Sequence, residues 1–107
     1  MKLATVQNIL SNGIPFHVRV VEHGDEYGHE MCLIHEGHKP MIEFYDVRYH
    51  FDKTSDGIIL GQFVNRYYVD TIKNHEGGLD LMGGVDGWKL DADAMQSVHN
   101  LLVMWGL

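Results

Sequence analysis

His29, Cys32, His35 and His38 recur every three residues, with His23 upstream. One thiolate and three imidazoles are competent ligands for a tetrahedral zinc site. On a strand, however, steps of three alternate faces, so His29 and His35 point one way while Cys32 and His38 point the other. Only a turn or a broken strand would let them converge. The spacing therefore predicts a hairpin with exposed histidines and a small buried cysteine. A metal-binding protein or metal-dependent enzyme built on this series is the rival reading, and no resident metal or other cofactor is expected.

Asp46, Arg48, His50 and Asp52 lie at steps of two, all on one side of a regular strand. An Asp beside a His can fix an imidazole tautomer for general-base work. That chemistry needs a nucleophile, and neither a Ser nor a Cys stands in a recognisable elbow motif. The row is expected to be the solvent face of a sheet, opposite Tyr45, Val47, Tyr49 and Phe51. Gly77-Gly78-Leu79-Asp80 and Gly83-Gly84-Val85-Asp86 repeat with a period of six. Two copies are too few for a calcium-binding solenoid, so the glycines are read as turn formers around a short strand.

The acidic residues are more suggestive. Glu22, Asp25, Glu26, Glu30 and Glu36 fall between Val21 and Lys39 with no Lys or Arg among them. Glu76, Asp80, Asp86, Asp91 and Asp93 form a second group, interrupted only by Lys89. A negative patch steers association toward basic partner surfaces and raises on-rates. Tyr27, beside Asp25 and Glu26 at a hairpin tip, is an aromatic of the kind that anchors interfaces. The candidate contacts are therefore Glu22, Asp25, Glu26, Tyr27 and Glu30. Tyr67, Tyr68 and Trp88 are read as core or sheet-surface residues.

Length and charge bound what these residues can serve. The chain has 107 residues, 15 acidic and 8 basic, for a formal charge of −7 with its eight histidines neutral. One domain fits this length. Lys2, Arg19, Lys39, Arg48, Lys53, Arg66, Lys73 and Lys89 are spread almost evenly, whereas duplex binding needs clustered cations against phosphate. Direct nucleic-acid binding is not expected. Cys32 is the single cysteine, so no internal disulfide framework is expected. The start lacks a signal-peptide pattern, and Leu101-Leu102-Val103-Met104-Trp105, the most apolar run, is far shorter than the about 20 residues of a membrane span. These features lead us to expect a cytoplasmic protein without a membrane anchor.

The elements that position these groups follow from periodicity. Ala4 or Thr5 through Ser11 reads as a short helix with Val6, Ile9 and Leu10 on one face, ended by Asn12-Gly13. Phe16, Val18 and Val20 then alternate with His17, Arg19 and Val21 as a strand. The turn Gly24–Gly28 leads to Met31-Cys32-Leu33-Ile34, expected as the returning strand of a hairpin. Met41 to Phe51 reads as a long strand whose apolar phase switches near Phe44-Tyr45, which predicts a bulge there. Residues 58–72 carry both periods; β-branched and aromatic residues favour a strand over Gln62–Ile72. Leu79–Met82 and Trp88–Leu90 are short extended pieces. Asp93, three residues before Gln96, predicts a C-terminal helix, with Asp91 as the alternative cap. Ala94, Val98, Leu101, Leu102 and Trp105 form its inward stripe. The sum is a single α+β domain: a mainly antiparallel sheet of four to six strands, a short N-terminal helix, and a C-terminal helix packed on one face.

Phe44-Tyr45-Asp46-Val47-Arg48-Tyr49, the stretch from Gly61 to Ile72, and Gly78-Leu79-Asp80-Leu81-Met82-Gly83-Gly84-Val85-Asp86-Gly87-Trp88 before a helix resemble short proteins encoded by phages and other mobile elements. The resemblance covers roughly residues 42–105 and carries no catalytic residues. It implies an accessory role, such as inhibition of a host defence complex of the CRISPR-effector or restriction-enzyme kind. The reading of the residues and the resemblance together lead us to expect a small acidic, non-enzymatic binding protein that docks on a basic protein surface. Self-association through a sheet edge is a further possibility for the fold.

Overall fold

A computed structural model describes residues 6–22, 39–85 and 87–107. Its chain order is β1 (Gln7–Ser11), β2 (Ile14–Glu22), β3 (Pro40–Asp46), β4 (Asp52–Lys53), β5 (Ile59–Tyr68), α1 (Val69–Lys73), β6 (Leu79–Asp80), β7 (Lys89–Leu90) and α2 (Ala92–Met104). Five strands form one antiparallel sheet in the order β1-β2-β3-β5-β4, and β6 pairs with β7. The fold is α+β, as the alternation and the terminal helix predict.

The first element differs from the sequence expectation. Residues 7–11 are a strand, not part of a helix, and they pair with β2 from Gln7↔Val18 to Ser11↔Ile14. The reason lies in Asn12-Gly13. Both residues are left-handed, with φ of 51° and 77°, which is the backbone of a two-residue hairpin turn matched to strand twist. The same dipeptide ends helices, so only the pairing partner decides between the two. Ile9 is buried while Leu10 is 64% exposed, an alternation of period two.

β2 lies between β1 and β3. The returning strand expected at Met31–Ile34 lies outside the described residues. The bulge expected near Phe44-Tyr45 is present: the β3–β5 register shifts between those two residues. The strand nevertheless ends at Asp46, well short of Phe51, because the Asp46 carboxylate accepts from the Arg48 backbone N–H at 3.0 Å and turns the chain. β5 approaches this corner closely. A Cβ on Gly61 would lie 2.4 Å from the Asp46 carbonyl oxygen, and Gly61 has φ of +106°. Glycine is the residue that meets both conditions. The stretch read as one strand to Ile72 ends at Tyr68 and gives way to α1.

One sheet face carries the core. Phe16, Val18, Val20, Ile42, Phe44 and Val64 pack against Val69 and Ile72 of α1, Leu81, Leu90, and Ala94, Met95, Val98 and Leu102 of α2. Each fully buried aliphatic or Phe side chain contributes about 1.5–3 kcal/mol. Leu101 and Trp105 pack at the edge of this cluster, so the inward stripe of α2 is as expected, with Met95 added. The cap is Asp91 rather than Asp93: its carboxylate accepts from the Ala94 N–H at 2.7 Å.

Candidate functional site

Of the candidate contacts, Glu22 closes β2 opposite Pro40, while Asp25, Glu26, Tyr27 and Glu30 lie outside the described residues. So do His23, His29, Cys32, His35 and His38. Among the described residues, no group of three or more His, Cys, Asp or Glu side chains is placed to hold a metal ion. Among them too, no helix is long and apolar enough to cross a membrane.

The row Asp46–Arg48–His50–Asp52 is not one strand face. Asp46 is fully buried and His50 exposed. Asp46 accepts from Arg48 Nε at 3.1 Å, Arg48 Nη2 at 2.8 Å and the Trp88 indole Nε1 at 2.7 Å. Burial alone would push this carboxyl up. The Arg48 guanidinium, the Trp88 indole and the Arg48 backbone N–H outweigh burial and hold it below its ordinary value. A carboxylate satisfied in this way is a strut between the β3 corner and the β7 side of the molecule. Its acceptor positions are taken, so it does not orient an imidazole.

A second charged network, missed by the sequence reading, crosses the sheet face opposite α2. Arg19, Glu43 and Arg66 are register partners on β2, β3 and β5. Arg19 Nε donates to Glu43 Oε1 at 2.9 Å, and Arg66 Nη2 lies 3.5 Å from Glu43 Oε2. The Tyr45 hydroxyl donates to Glu43 Oε1 at 2.6 Å and accepts from Arg19 Nη2 at 3.2 Å. Burial, with the Glu43 carboxylate beside it, raises the Tyr45 phenol well above its usual range, so the hydroxyl remains a donor. A lone Glu inside Met41-Ile42-Glu43-Phe44-Tyr45 was the available signal, because a charge in an apolar strand needs a partner.

The described members of the second acidic group divide in role. Asp91 caps α2 and its other oxygen accepts from the Asn12 N–H at 3.1 Å. Asp80 closes a turn by accepting from the Gly84 N–H at 3.1 Å. Glu76, Asp80 and Asp93 are exposed. Asp86 lies outside the described residues. Between the α1–β6 loop and α2 runs an open cleft of about 300 Å³ lined by His75, Glu76, Met95, Gln96 and His99. His75 Nε2 lies 2.7 Å from the Gly78 carbonyl and His99 Nε2 lies 2.8 Å from the Ile72 carbonyl. Carbonyl oxygens only accept, so both rings carry hydrogen on Nε2. Nothing in the sequence brings residues 75 and 99 together; the packing of α2 does.

Apolar side chains are also presented outward on the β4 side of the sheet. Tyr49, Phe51, Ile58 and Ile59 are 44%, 74%, 47% and 50% exposed, and the Tyr49 and Phe51 rings stack at 6.2 Å. By contrast, Tyr67 packs edge-on against Phe44 at 6.1 Å, and Trp88 is half-buried on Asp46. These two belong to the core and its margin, as expected. No protein-family model, curated protein or solved structure matches this chain.

Proposed function

We propose that this chain is a small cytoplasmic, non-enzymatic binding protein that docks an acidic face on a basic surface of a larger protein. The contacts are Glu22, Asp25, Glu26, Tyr27 and Glu30. The partner class is a host defence nucleoprotein complex, whose cationic surface ordinarily holds nucleic acid. The observation that carries the reading is the distribution of charge. Five carboxylates fall between Val21 and Lys39 with no cation among them. Elsewhere Arg19, Arg48 and Arg66 are turned onto the buried carboxylates of Glu43 and Asp46. Those three arginines meet two carboxylates, a net charge of +1, so of the chain's −7 the remaining residues carry −8. The exposed Tyr49–Phe51 pair supplies aromatic area of the kind that adds contact energy around a charged centre.

The test is charge reversal. A protein captured from the native host on the wild-type chain is identified, and its association rate is measured against salt. Asp25→Lys with Glu26→Lys is expected to slow association at least about tenfold at low salt and to flatten the salt dependence. An unchanged on-rate and salt slope overturns the proposal.

A further inference from the structure

The polar side chains that line the cleft between the α1–β6 loop and α2 have most of their donors committed within the chain. His75 and His99 give their Nε2 hydrogens to the Gly78 and Ile72 carbonyls. Gln96 gives one of its two carboxamide hydrogens to Asn100 Oδ1 at 3.1 Å. What remains is mostly acceptor capacity: the Nδ1 of each imidazole, Gln96 Oε1 and the exposed Glu76 carboxylate, against one free carboxamide hydrogen of Gln96. Among the described residues no Lys or Arg lines the cleft. The positive end of the α2 dipole is offset by the Asp91 cap and by Asp93 in the first turn. Met95 and Ala92 add apolar lining beside these acceptors.

We infer that this cleft receives a lysine side chain of the basic partner, its ammonium among the acceptors of Glu76, Gln96, His75 and His99 and its aliphatic stem along Met95 and Ala92. An ammonium has three donors and no acceptor, which complements a cleft whose polar lining is mostly acceptors and which, among the described residues, holds the Glu76 carboxylate with no Lys or Arg beside it. A volume of about 300 Å³ accommodates such a side chain. The inference rests on the reading of this chain as a binder of basic surfaces and assigns that partner a specific anchoring residue.

The experiment titrates the isotope-labelled full chain with the peptide acetyl-Gly-Gly-Lys-Gly-Gly-amide, with the norleucine version as control, and follows backbone amide shifts. The lysine peptide is expected to shift the amides of Glu76, Gln96 and His99, and the norleucine peptide is not. Glu76→Gln is expected to weaken the lysine peptide at least about fivefold, and Gln96→Glu to strengthen it, because charge-assisted contacts to an ammonium are the stronger kind. Asp56→Asn, in the β4–β5 turn, is expected to leave binding unchanged. Equal weakening by Asp56→Asn and Glu76→Gln means diffuse attraction only and overturns the inference. So does binding of the norleucine peptide, or an absence of shifts at the cleft. If the cleft fails while Asp25→Lys with Glu26→Lys still slows the partner, only the lysine site falls. If the cleft binds lysine and that double variant associates normally, the early acidic segment falls instead.

Discussion

The indole Nε1 of Trp88 donates to the buried carboxylate of Asp46 at 2.7 Å, joining residues 42 positions apart. The same carboxylate holds Arg48 by its backbone and its guanidinium. One acidic side chain thus ends β3, fixes the following turn and ties that corner to the segment entering β7.

Trp88→Phe keeps an aromatic side chain and removes the donor. Loss of a hydrogen bond to a charged, buried acceptor costs about 1.5–3 kcal/mol. Urea unfolding at neutral pH is expected to show this as a lower midpoint at unchanged slope.

Asp46 also sets an acid sensitivity. Its ordinary value is 3.8, and in the folded chain it is held lower, chiefly against burial, by Arg48 and Trp88. A depressed folded value means that the stabilisation is complete above the ordinary value and is lost as pH falls through the folded one. The stability difference between wild type and Asp46→Asn is expected to shrink as pH falls below the ordinary value of 3.8 and through the lowered folded one. Parallel denaturant series at several pH values measure it, and a constant difference contradicts the assignment.

Gly61→Ala tests the close approach of β5 to the Asp46 corner. The positive φ alone costs roughly 1–3 kcal/mol for a side-chain-bearing residue, and overlap with the Asp46 carbonyl adds to it. Gly83→Ala meets nothing within 4 Å and is expected to change stability by less than about 0.5 kcal/mol. Thermal unfolding of the two variants side by side provides the comparison.

Asp91 and Asp93 are two candidate caps with different consequences. Asp91→Ala removes the cap of α2 and the acceptor for the Asn12 N–H, at a cost of about 1–2 kcal/mol. Asp93→Ala leaves both bonds in place and is expected to cost less than about 0.5 kcal/mol. Equal losses on urea unfolding would restore Asp93 as the cap.

Much of the fold was legible because local periodicity carried it. The β2 alternation, the phase change at Phe44-Tyr45, the glycine-rich turn between β6 and β7 and the stripe of α2 each appear where their residue spacing places them. Asn12-Gly13 was ambiguous, since left-handed residues end helices and make hairpins alike. The segment to Ile72 joined two elements because Val69 and Ile72 lie on the buried side of a short helix while Phe63 and Val64 belong to a strand. The candidate contact residues were legible only as a run of charge.

Composition and spacing by themselves determined an acidic α+β chain with a capped C-terminal helix and a bulged central strand, because charge and hydrophobic period are local properties. Only the tertiary structure decided that Arg19 and Arg66 flank Glu43 across three strands, that Asp46 is a strut, and that His75 and His99 share a cleft. Those relations depend on strand register and helix docking, which bring together residues that no sequence period connects.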